Sequence, residues 1–157
     1  MPSRGPTACP VHSIPCKGTI DHDHRELYIQ ICKPGPDGAV HWLIFMKCPG
    51  ATRGIRLHST GYKGNRRLSI EPDKRFNSWQ VEDTHYLGII PADDRIIVPK
   101  EAEKIPLQSC QLWACYLMLR LERKGLLRKG TFDHYMHCYK HKFLEDYGPG
   151  DGIFHGR

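Results

Sequence analysis

The sequence has no run of 18 apolar residues, no CxxC pair, no internal repeat and no low-complexity block. Without the long apolar run there is no candidate transmembrane helix. The first residues, MPSRGPTACPVHSIPCKG, contain no apolar core of the kind a secretory signal needs, so the expectation is a chain that stays in the cytoplasm and does not engage a membrane. Seven cysteines in an odd number and without CxxC spacing read as thiols rather than as a disulfide framework or a zinc module. The formal net charge of +6 is not gathered into a stripe. Lys63, Arg66, Arg67, Lys74 and Arg75 form the densest basic stretch, and Lys124, Arg128 and Lys129 a second, both broken by turns and acids. No aromatic RNA-binding signature accompanies them, so nucleic acid is not the expected partner.

What is present suits one domain. Of 157 residues, 39% are hydrophobic, enough for a core of ordinary size. Residues 1–24, with Pro2, Pro6, Pro10 and Pro15, read as an irregular arm, residues 25–147 as a single α+β domain and residues 148–157 as a tail. ELYIQICK and VHWLIFMKC, joined by the turn PGPDGA, form a candidate hairpin. GIRLHSTGY, RRLSIEP, HYLGIIP and DRIIVP follow as further short strands, giving an antiparallel sheet of about four to six strands. Then comes LQSCQLWACYLMLRL, which is apolar on nearly every side and so predicts a buried helix, begun at Gln108 or Ser109 and closed by Gly125. A second helix is expected over TFDHYMHCYKHKFLEDY. Strands first and helices after define an α+β arrangement in which the sheet packs on the buried helix.

Three residues could carry chemistry. Cys110 stands at a helix start, where the positive end of the macrodipole favours a thiolate. His41 lies in the otherwise apolar strand HWLIF, which puts His41, Leu43 and Phe45 on one side and Trp42, Ile44 and Met46 on the other. His58 lies in the next strand and can reach the same face, so nucleophile, base and orienting group are all available. The ordinary alternative for Cys110 is that of a small core hydrophobe. His134, His137, Cys138 and His141 share one helical face, and Asp21, His22, Asp23 and His24 form a second cluster, but neither closes a four-ligand set, so no metal is expected. No cofactor is expected either.

The order His-Trp-x-Ile-aromatic, a second histidine one strand on, and a late polar-Cys-polar at a helix start resembles the lecithin retinol acyltransferase type of permuted papain-like fold. The resemblance spans about residues 40 to 125. Small fungal proteins with His-Trp and Cys-Gln-x-Trp pairings look similar too, matching His41-Trp42 and Cys110-Gln111-Leu112-Trp113. The resemblance implies that Cys110 is the nucleophile, His41 its base and His58 the residue orienting His41. Gln111, Trp42 and Trp113 would then flank the oxyanion or the substrate. The implied activity is a cysteine-dependent hydrolase or acyltransferase working through an acyl-enzyme. Its substrate would be a small molecule or peptide carrying a soluble amide, ester or thioester, because the family's C-terminal membrane anchor has no counterpart here. The alternative is a module of the same fold that binds a small molecule or a protein without catalysis.

Overall fold

The computed structural model describes residues 23–146, with side chains to residue 141. Most of the arm expected over residues 1–24 and the tail expected over 148–157 lie outside the described residues. Five strands, β1 (Arg25–Cys32), β2 (Trp42–Lys47), β3 (Arg53–Thr60), β4 (Arg67–Arg75) and β5 (Val81–Ile90), precede three helices, α1 (Ile97–Ala102), α2 (Cys110–Arg123) and α3 (Thr131–Asp146). The strands form one antiparallel sheet in the order β4-β3-β2-β1-β5. This is the expected α+β class with a sheet packed on a buried helix.

Strand alternation divides the sheet into two faces. Leu27, Ile29, Trp42, Ile44, Met46, Ile55 and Leu57 point to the helices and join Leu112, Trp113, Leu117, Met118 and Leu121 of α2 in one core. Helix α2 is buried along most of its length, as its all-round apolar sequence requires. Ser59, on the same side of β3, donates to the Gln108 carbonyl at 2.7 Å and ties the strand to the approach to α2. The second face is covered by the chain itself. After β4, residues 76–80 cross beneath the sheet to β5 at the opposite edge, and Phe76 packs on Tyr28 and Phe45 with ring centroids 4.7 and 5.3 Å away. The Phe76 carbonyl accepts from Gln30 Nε2 at 2.9 Å, which gives the nitrogen of this buried amide a partner beneath the sheet.

Two expectations change. DRIIVP, read as a strand, instead runs through a short 3-10 turn into α1. Its β-branched residues suggested a strand, but burying Val98 and Ala102, one helical turn apart, decides otherwise. Cys48 is disulfide-bonded, so not all seven cysteines are thiols; Cys32, Cys110, Cys115 and Cys138 are free. Disulfides belong to oxidising compartments, which removes the ground for expecting a reducing one. Among the described residues no helix is long and apolar enough to cross a membrane.

Candidate active site

The site forms where β2 and β3 part. Their pairing covers Ile44↔Leu57, Phe45↔Arg56 and Met46↔Ile55 and goes no further toward the start of β2. Extended by two residues, the same register would set Trp42 against Ser59. The start of α2 enters there instead. The His41 carbonyl accepts from Cys32 N at 2.8 Å, so it faces β1, and the neighbouring Val40 carbonyl must face the β3 side. Gln111 Nε2 donates to that Val40 carbonyl at 2.8 Å, and Cys110 Sγ approaches the same oxygen at 3.9 Å. Ser109 caps the helix, its Oγ accepting from Leu112 N at 3.4 Å. Residues 109–111 therefore fill the gap left by the missing strand pairs.

The two histidines meet on the second face. His41 Nε2 lies 2.6 Å from His58 Nδ1, and the rings stand edge to face. Beyond them, His58 Nε2 is 3.3 Å from Glu71 Oε1 of β4, and the same oxygen is 3.5 Å from Arg56. The imidazole and carboxylate are at ion-pair distance but not aligned as a hydrogen bond, and neither buried atom has a hydrogen-bond partner. Even without a hydrogen bond, the negative charge beside Nε2 is better faced by an N–H than by a lone pair, which favours the His58 tautomer with the proton on Nε2. His58 Nδ1 then accepts from His41 Nε2–H, which leaves the lone pair on His41 Nδ1. In the sequence Glu71 is one carboxylate of an ordinary strand, with no local signal of a role; only the β3–β4 pairing brings it to His58.

Burial holds both imidazoles neutral. It pushes His41 down to about 4, helped by His58 and Arg56 and opposed by Glu71. It lowers His58 as well, with Glu71 opposing. The Cys110 thiol moves up, chiefly through burial, while backbone N–H groups of Trp42 and Gln111 and the Arg66 guanidinium act the other way. The helix-start thiolate expected from the macrodipole is thus outweighed, and the resting group is a thiol.

Among the described residues, no hydrogen bond joins Cys110 to either histidine. Of the other residues singled out, Trp42 and Trp113 lie within the core at 1% and 0% exposure, and Gln111 is buried on the Val40 carbonyl. On α3, Cys138 Sγ is 3.8 Å from His134 Nε2, and His137 and His141 stack with centroids 5.9 Å apart. Asp23 pairs with Arg25 and Arg95. Among the described residues no three metal ligands converge. Compared with known proteins, the chain matches no family model, no curated protein and no solved structure.

Proposed function

We propose that the chain is a cysteine-dependent hydrolase or acyltransferase of permuted papain-like arrangement, with Cys110 as nucleophile and His41 as base. The observations that support it most are the His41–His58 hydrogen bond, with the Glu71 carboxylate at ion-pair distance from His58, and the approach of Cys110 Sγ to the carbonyl of Val40, the residue before His41. Because thiol and imidazole are both neutral at rest, the proton moves during attack rather than before it. Cys110 Sγ bonds to the carbonyl carbon of an amide, ester or thioester as its proton passes to His41 Nδ1. His41 returns that proton to the departing amine, alcohol or thiol, leaving an acyl-cysteine. Water or an amine, deprotonated by His41, then takes the acyl group and restores the thiol. The Cys110 N–H at the helix start is the first donor for the oxyanion.

An acyl donor tests this better than an alkylating reagent, whose rate follows the small resting thiolate fraction. With p-nitrophenyl acetate at pH 7.5, the expected result is a burst of one p-nitrophenolate per chain, with an acetyl group on Cys110. The burst should vanish in Cys110→Ala and slow by about 100-fold in His41→Ala, within the range of a general base. A burst that survives Cys110→Ala would overturn the assignment. The second reading, a binding module without catalysis, is favoured by the contact of Cys110 with a carbonyl rather than with an imidazole. It predicts no acetyl-cysteine at any pH between 5 and 9.

A further inference from the structure

The two edges of the sheet are built differently. The β4 edge carries Pro72, Asp73 in the left-handed region at φ 57, Lys74 and Arg75. These features discourage another strand from pairing there. The second half of β5, HYLGII, shifts register at Leu87, between Tyr86 opposite Tyr28 and Gly88 opposite Leu27, but it has no proline, lysine or arginine, and Tyr86 and Ile89 are 55% and 51% exposed. Among the described residues, β5 pairs only with β1.

A cavity of about 770 Å³ lies against this edge, lined by residues 86–89 on one side and 125–131, His134 and Tyr135 on the other. The bulge at Leu87 breaks the alternation, but Tyr86 and Ile89 stand opposite Tyr28 and Glu26 on one face and Gly88 opposite Leu27 on the other, so a cavity touching residues of both faces meets the strand at its edge. The opposite wall carries Arg128 and Lys129, and among the described residues lining the cavity there is no Asp or Glu. The helix start nearby is already occupied, because Glu122 accepts from Gly130 N at 3.1 Å and Phe132 N at 2.9 Å. The positive charge left to a ligand is therefore that of the two side chains, spaced along the wall, rather than a backbone nest for one small anion.

We infer that the β5 edge at residues 86–89 binds an extended peptide with acidic side chains, which adds a strand to the sheet and places its carboxylates against Arg128 and Lys129. Backbone pairing supplies affinity and the cationic wall supplies selection. The apolar spacing residues of the peptide rest on Leu126 and Leu127, which line the same cavity.

The probe is a fluorescein-labelled hexapeptide alternating valine and glutamate, titrated with the full chain by anisotropy, beside a valine-lysine version and a valine-glutamate version N-methylated at alternate amides. The acidic peptide should saturate, and both comparison peptides should bind at least about 10-fold more weakly. Amide resonances of residues 86–89 should shift on binding. Arg128→Glu with Lys129→Glu, both on exposed positions, should reverse the preference toward the lysine peptide. Equal binding of the N-methylated peptide would remove strand addition, and an unchanged preference in the double variant would remove the role of the cationic wall. No saturable binding, or self-association through β5 seen by sedimentation, would overturn the proposal. Cys110→Ala should leave all these titrations unchanged, so the result is separable from acyl transfer.

Discussion

At the scale of single residues, the neutral imidazole pair sets the pH behaviour. Unfolded His41 takes up a proton as pH falls through its ordinary value near 6.5, whereas the folded residue resists protonation down to about 4. The unfolded state therefore binds more protons between these values, and stability must rise with pH across that window. It is fully present above about pH 6.5 and falls as pH drops toward 4, with a loss on the order of 3 kcal/mol from His41 alone. His58 is shifted in the same direction and adds to the slope. Urea midpoints measured at pH 7 and pH 4.5 should separate in the wild type and draw together in His41→Gln. The acyl-transfer rate should keep its acid limb near pH 4 rather than near 6.5, because the base stays deprotonated until then. Cys110 illustrates a competition at one atom: the helix start favours its thiolate, and desolvation opposes and wins.

At the scale of elements, two joints bear on the site. Gly54 of β3 lies where a Cβ would run into the Met46 carbonyl oxygen and come within 2.7 Å of Lys47 Cβ. Strands β2 and β3 approach each other there, just as they part at the other end to admit α2. Gly54→Ala should force them apart and cost about 1 to 3 kcal/mol, the range of overpacking, and a lowered Tm with slower acyl transfer would register it. The second joint is Glu101 of α1, 2% exposed, with Arg120 Nε at 2.7 Å, Lys104 Nζ at 2.9 Å and Lys124 Nζ at 3.7 Å. Lys104 first, together with Arg120, holds its carboxyl below the usual range against the effect of burial. Glu101→Ala leaves Arg120 and Lys104 without their partner and detaches α1 from α2. A loss of about 2 kcal/mol is expected, less than for a deep ion pair because the cations are half exposed, and chemical denaturation would measure it. Glu101→Gln should recover part of the loss by keeping a hydrogen-bond acceptor.

At the scale of the whole molecule, the strand order makes the crossover after β4 a structural necessity. With β4 and β5 at opposite edges, the chain must pass beneath three strands, and it uses that passage to cover the second face. Phe76 is the center of the cover, in contact with Tyr28 and Phe45 and with Lys47 Nζ 4.9 Å above its ring. Phe76→Ala should destabilise the fold by about 2 to 4 kcal/mol, at the lower side of aromatic truncations because the ring is only half-buried. Loosening that face should also raise the ordinary pH response of the imidazoles as water reaches them. Thermal melts and histidine NMR titrations would show the two effects together.

Much of this architecture was legible locally. Alternation in VHWLIFMKC assigns Trp42, Ile44 and Met46 to one face and His41, Leu43 and Phe45 to the other, and the all-round apolar run after Ser109 marks the helix that the sheet buries. Those patterns are periodic, and periodicity is a property of neighbours in sequence. DRIIVP reads as a strand because its β-branched residues carry a strand preference, which burial of Val98 in the core shared with α2 overrides. What no local pattern contained was the company each residue keeps: Glu71 beside His58, Phe76 beneath Phe45, the strand pairs that give way to Cys110. Such juxtapositions depend on register between segments tens of residues apart, and register is selected by how faces pack together. The protonation states follow the same division, since residue type sets the ordinary pKa values of a thiol and an imidazole, and only the depth at which the tertiary fold buries Cys110, His41 and His58 decides that all three rest neutral.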